Sequence, residues 1–238
     1  MADKIVKRGK PWFMGIKGIA KFFYKKPKFL YLGDEFADGS IILSNHEGSY
    51  SPLTLEIWMD RKIRFWGTYE MNSGLKELYR YQTKIYYHQK KGWNLWLARI
   101  VCLIVSPLTN LFYKGLNLIS TYRDTRFMKT IKTSIDAVKN GESIIIFPED
   151  SSKGYYKEMT MFFSGFAFLA QTLAKKGIDA PVVVSYFRRE EKVFVVDKPI
   201  KYSELLAKYG DKDNIAKNLL DRCNELGKID LTPYLENK

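Results

Sequence analysis

The chain has few of the residues that staple small folds or build metal centres: two cysteines, Cys102 and Cys223, and two histidines in 238 residues. The cysteines are far apart and have no metal-ligand spacing, which excludes a disulfide scaffold and leaves little for a zinc site. Both thiols are therefore read as reduced and structural, in a cytoplasmic setting. No internal repeat or low-complexity tract is present. Acidic residues are also the minority, 26 against 39 Lys plus Arg, and only Asp3 stands among the first thirty residues.

What is present fits a globular chain of one domain with a modest appendage. The chain is 46% apolar and 27% charged with a mean hydropathy of −0.27, which excludes disordered, collagen-like and polytopic membrane classes. The net charge of +13 asks for an anionic partner, and nine of the basic residues fall before residue 30, so that end alone carries +8. Its basic start is followed by a run interrupted by Lys17 and Lys21 rather than by an uncharged core, so no cleaved signal is expected.

From Pro11 to Tyr24, Trp12, Ile16, Ile19 and Phe23 recur at helical spacing while Lys17 and Lys21 share another face. The pattern predicts an amphipathic helix that either lies in a membrane interface or docks on the protein's own core. Residues 25–28 read as its link to the main domain. A second apolar stretch, 100–113, is uncharged, is flanked by Arg99 and Lys114 and is broken by Pro107. Its fourteen residues would cover roughly 21 Å, too little to span a bilayer, so it reads as buried, interfacial or re-entrant. Elsewhere strands expected at 40–44, 63–68, 118–122, 143–147, 182–187 and 193–196 alternate with helices at 52–60, 126–139, 161–176 and 215–226. That alternation predicts an α/β fold with a mixed, mostly parallel sheet flanked by helices, preceded by the N-terminal amphipathic segment.

Three predicted strand ends carry chemistry-bearing residues, and strand ends are where open α/β sheets keep their sites. Ser44-Asn45-His46-Glu47-Gly48 leads into Ser51-Pro52, with Ser51 suited to cap the following helix. Phe147-Pro148-Glu149-Asp150-Ser151-Ser152-Lys153 gathers carboxylates, hydroxyls and a lysine in a turn, and Thr121-Tyr122-Arg123-Asp124 sends out an arginine suited to phosphate.

In this order the blocks resemble the glycerolipid acyltransferase family that includes bacterial 1-acylglycerol-3-phosphate acyltransferase. Asn45-His46 followed by Ser51-Pro52 is similar to its N-H-x-x-x-x-D-P block, Thr121 to Asp124 to its second block, and Phe147-Pro148-Glu149 to the opening of its F-P-E-G-T-R block. Residues 165–170 and Ala180-Pro181-Val182-Val183-Val184 resemble the segments that follow. The resemblance, over roughly residues 35–190, implies a membrane-associated acyltransferase domain (31–238) behind a basic membrane-association segment (1–30). It implies His46 as the base that takes a hydroxyl proton, with Arg123, Glu149, Ser151 and Lys153 toward the substrate. Its donor is an acyl thioester (acyl-CoA or acyl-carrier protein) or an acyl phosphate, its acceptor a lysophospholipid such as lysophosphatidate. Neither a resident cofactor nor a metal is expected, and the partner surface is an anionic membrane on the cytoplasmic side rather than nucleic acid. The chain departs from the pattern at Ser51, where the family has the aspartate that steadies the histidine, at Asp150, Ser151 and Ser152 in the third block, and at Asn117, where it has glycine. With serine at 51, three outcomes stay open: a substitute carboxylate from Glu47, Glu56 or Glu149, a slow enzyme, or a domain that binds lipid without turning it over.

Overall fold

A computed structural model describes residues 11–48, 50–150 and 154–235. Strands β1 (Lys28–Tyr31), β2 (Ile41–Ser44), β3 (Ile63–Thr68), β4 (Ile119–Thr121), β5 (Ser143–Ile146), β6 (Pro181–Arg188) and β7 (Val193–Val196) form one sheet in the order β1-β7-β6-β2-β5-β3-β4, with β8 (Ile200–Lys201) paired to β6. All pairings are parallel except those of β6 with β7 and with β8. The fold is therefore the expected α/β one. β2 and β5 read as unbroken apolar runs because helices cover both sheet faces. Ile41, Leu43, Ile144 and Ile146 join one core cluster, and their neighbours Ile42 and Ile145 join the other.

The first cluster is closed by α5 (Phe127–Lys139), α6 (Gly165–Ala174), α7 (Tyr202–Tyr209) and α8 (Lys212–Lys228), whose Ile131, Leu169, Leu205 and Leu219 are buried in it. α8 starts at Asp211, whose carboxylate accepts from the backbone N–H groups of Asp213 and Asn214. The opposite face is covered by α2 (Tyr50–Trp58) through Leu55. The periodicity did not reveal β1, which begins at the last residue of the stretch read as a link and pairs with β7, or α7, α3 (Leu75–Tyr81) and a π-helical stretch, Gln82–Lys90.

Two corrections concern the apolar helices. α4 runs from Leu95 to Leu116, twenty-two residues, and passes through Pro107 without ending. The flanking charges Arg99 and Lys114 lie inside it, and Pro107 sits on its exposed side, so the helix is longer than its charge-free core and is long and apolar enough to cross a membrane. In α1 (Pro11–Phe23) the residues facing the protein are Phe13 and Lys17, while Trp12, Ile19 and Phe23 of the predicted apolar face point outward. Lys17 is 7% exposed and its Nζ lies 2.7 Å from Oε1 of Glu56 on α2. Gly115 of α4 makes the seat for Phe13, since a Cβ there would fall 2.1 Å from the ring.

Candidate active site

The parallel run β6-β2-β5-β3-β4 brings the C-terminal ends of β2, β4 and β5 to one edge of the sheet, and with them the three sequence blocks. Asn45 is a structural clamp: its side-chain amide donates to the carbonyl of Phe187 at 3.1 Å, and its Oδ1 accepts from the Phe187 N–H at 2.7 Å. These bonds carry the β2–β6 pairing one step past the strands and fix where His46 leaves the sheet. The next two residues have left-handed backbone, Glu47 at φ 43° and Gly48 at φ 65°, turning the chain sharply toward α2. A non-glycine residue in that region stores strain of the kind that collects at functional sites.

The His46 imidazole lies between rings, 4.8 Å from the Phe147 centroid edge-on and 4.8 Å from Tyr155 in a near-parallel stack. Burial in this aromatic slot lowers its pKa to about 4, with Lys90 pushing the same way and the carbonyls of Gly48 and His46 opposing. The ring is thus neutral at physiological pH and able to accept a proton. Its Nδ1 is buried and has no hydrogen-bond partner among the described residues.

Glu149 is brought to His46 by a backbone contact: the His46 N–H donates to Oε1 at 2.9 Å. Burial raises the Glu149 pKa to about 7 and Glu47 adds to the rise, while the His46 N–H and Lys90 lower it. An anti-parallel bridge between Glu149 and Phe162 holds the turn, with the Phe163 N–H donating to the Pro148 carbonyl at 2.8 Å. Arg123, exposed beyond the end of β4, stands with its guanidinium 5.7 Å from the Phe163 ring centroid. The edge therefore brings together His46, Glu149 and Arg123. Ser151 and Lys153 lie outside the described residues.

Ser51 differs from its expected role. It is not the cap of α2 but its second residue, fully buried, and its hydroxyl has no hydrogen-bond partner among the described residues. The chain turns into the helix two residues earlier than the proline signal suggests, so Tyr50 rather than Pro52 opens α2. The hydroxyls of Ser44 and Thr54 are likewise buried and unpartnered among the described residues. Of the carboxylates considered in place of the family aspartate, Glu56 is ion-paired with Lys17, Glu47 follows His46 on the strained turn, and Glu149 touches the His46 backbone. Asn117 takes the left-handed position that closes α4 at φ 52°, a conformation asparagine tolerates better than other side chains, which explains how it stands where the family has glycine.

Sequence reasoning missed Tyr155 and Lys90. Lys90 acts electrostatically on His46, Arg123, Glu149 and Asp150, and its Nζ lies 5.9 Å from the Tyr155 centroid. Its signal was only a basic pair following aromatic residues, because a π-helical turn has no simple apolar period. Among the described residues no three His, Cys, Asp or Glu side chains gather to hold a metal.

No family model matches the chain, and no curated protein is detectably similar to it in sequence. Among solved structures, the chain is similar to the 1-acyl-sn-glycerophosphate (LPA) acyltransferase PlsC from Thermotoga maritima. That likeness has a TM-score of 0.54 at 12% identity, and covers 91% of this chain and 78% of the other. The architecture is thus shared with a lipid acyltransferase fold.

Proposed function

We propose that the protein is an acyltransferase that moves a fatty acyl group from an acyl thioester or acyl phosphate to the hydroxyl of lysophosphatidate or a related lysophospholipid, in phospholipid synthesis. The reading is carried by one observation: a buried, neutral imidazole, His46, stands at the sheet edge where Glu149 and Arg123 also meet. The shared fold adds support.

In this mechanism His46 takes the proton from the acceptor hydroxyl as its oxygen attacks the acyl carbonyl. The tetrahedral intermediate then collapses, the carbon–sulfur or carbon–oxygen bond to the leaving group breaks, and the imidazolium returns the proton to the departing group where it needs one. Arg123 holds the acceptor's phosphate by its planar fork. Glu149 accepts the His46 N–H and so fixes the loop that carries the ring.

The surface suits a bilayer. On α4, Trp96 and Ile104 are each 70% exposed and Leu103 and Leu108 nearly as much, and on α1 Phe22 is 87% exposed, with Lys21, Lys25, Lys26 and Arg99 close in sequence. An exposed apolar face of this extent beside basic residues fits peripheral or monotopic attachment to anionic lipid, on the cytoplasmic side, with the attachment segment ending before residue 28, because β1 (Lys28–Tyr31) belongs to the sheet of the acyltransferase domain rather than to the segment 1–30 expected from charge.

The test is an acyl-transfer assay of the purified protein with acyl-CoA, acyl-carrier-protein and acyl-phosphate donors and a panel of lysophospholipids on anionic vesicles, beside His46→Ala. Transfer by the wild type and its loss in the variant are expected. The second reading, a family-like domain that binds lipid without turning it over, is favoured by Ser51, which lacks the carboxylate that steadies an imidazolium. Flotation with anionic vesicles but no transfer from any donor would establish it.

A further inference from the structure

With serine at position 51, the charge that forms on His46 as it takes a proton needs another source of support. Among the described residues no carboxylate is hydrogen-bonded to the imidazole: Glu149 accepts from the backbone N–H of His46 rather than from its ring, and Glu56 is paired with Lys17. What lies against the ring is aromatic. Tyr155 stacks on it with centroids 4.8 Å apart and planes inclined by 21°, and Phe147 meets it at 60°, also at 4.8 Å.

The loop that carries Tyr155 is anchored on both sides of the stack. Gly154, at φ 117°, turns the chain into Tyr155 with a backbone that other residues rarely adopt. Beyond it, the Lys157 carbonyl accepts from the Tyr186 hydroxyl of β6 at 2.6 Å, and Asn224 of α8 clasps the Met159 N–H and carbonyl with two bonds of 2.9 Å. The bridge between Glu149 and Phe162 closes the base of the loop, and the same Glu149 accepts from the His46 N–H at 2.9 Å. Imidazole and phenol ring are thus carried on one connected frame.

A cation over an aromatic face, within about 6 Å of its centroid, is attracted by the negative face of the quadrupole, most strongly where water is excluded. A neutral imidazole gains far less. The attraction therefore grows as the proton arrives from the acceptor hydroxyl, and an interaction that strengthens along the step is one that speeds it. We infer that the Tyr155 ring steadies the His46 imidazolium, its π face doing in this chain what a carboxylate at position 51 would otherwise do. The inference rests on the acyl-transfer reading of His46 and deepens it. The Lys90 ammonium, 5.9 Å from the same centroid, stands at the limit of that range, so the imidazolium holds the nearer place. Tyr155 acts through His46 and is a positioning residue; it takes no proton itself.

The experiment replaces Tyr155 in the full chain by phenylalanine and then by phenylalanines carrying one, two and three ring fluorines, which keep the ring's shape while draining negative charge from its face. Two quantities are read: kcat for acyl transfer at a fixed pH, and the protonated fraction of the His46 imidazole by NMR, with exposed His88, the second of two histidines, as internal reference. Lys90, Glu149 and Glu47, the titratable groups that act on His46 or adjoin it, are the same throughout the series. Tyr155→Phe should keep most of the activity. Across the fluorinated series, the proton affinity of His46 and kcat are each expected to fall stepwise by roughly tenfold in all, with KM and the melting temperature close to wild type. His46 protonation that is indifferent to fluorination overturns the inference. If protonation follows the series but no member transfers an acyl group, the enzyme reading fails and the hold of Tyr155 on the imidazolium stands. If transfer occurs with kcat flat across the series, the enzyme reading stands and this one fails.

Discussion

At the scale of single residues, the site pairs a histidine and a glutamate whose proton affinities are displaced in opposite directions. Folded His46 gives up its proton near pH 4 rather than 6.5, so below 6.5 the unfolded chain binds more protons there and stability falls as the pH drops. Folded Glu149 holds its proton to about pH 7 rather than 4.5, so stability from this group falls as the pH rises through that window. Between about pH 4.5 and 6.5 the two slopes oppose each other. Glu149→Gln keeps an oxygen for the His46 N–H but removes the titration, so its melting temperature should climb more steeply with pH across that range than that of the wild type. Parallel curves would show that Glu149 does not titrate there. Ser51 carries the second residue-scale prediction. A carboxylate in the first turn of α2 is favoured by the helix dipole and would steady the His46 imidazolium, so Ser51→Asp should raise acyl-transfer turnover roughly tenfold or more. An unchanged or lower rate would mean that another group already does this work.

Elements determine where that chemistry sits, and α1 is the case with the clearest consequence. The helix is tied to α2 by the buried Lys17–Glu56 pair, by the Trp58 indole donating to the Tyr24 carbonyl at 2.8 Å, and by Lys21 over the Trp58 ring. α2 begins at Tyr50 and carries Ser51, so α1 braces the element that starts close after His46. Lys17→Met leaves Glu56 charged and buried without its ammonium and should destabilise the fold by about 3–5 kcal/mol, whereas Lys17→Met with Glu56→Leu should recover most of that loss. Denaturant unfolding of the two variants decides this; equal losses would mean that the pair is not coupled. Sequence periodicity identified α1 as amphipathic yet assigned Lys17 to the solvent side, because period alone cannot see that Glu56, 39 residues away, meets it inside. The strands at 63–68 and 193–196 were legible to the residue from their β-branched and aromatic content bounded by polar turns. β1 and α7 were not, since their short segments take their stability from neighbours distant in sequence.

On the scale of the whole molecule, the parallel sheet converts three sequence blocks 77 and 26 residues apart, at His46, Arg123 and Glu149, into one site. Their order was readable from the chain; that Lys90 and Tyr155 complete the surroundings was not, because both come from irregular segments between the regular elements. The central claim is that His46 is a neutral base in an aromatic slot at that edge. It is tested most directly by the pH dependence of kcat/KM for acyl transfer to a lysophospholipid diester such as lysophosphatidylglycerol, whose phosphate keeps one charge across the range, measured in Glu149→Gln, which removes the neighbouring titration, with and without His46→Ala. The account predicts that activity persists on the acid side until about pH 4, where His46 takes up its proton, and that adding His46→Ala abolishes transfer across the range. An acid limb near pH 6.5 under these conditions, or transfer undiminished by His46→Ala, would contradict it.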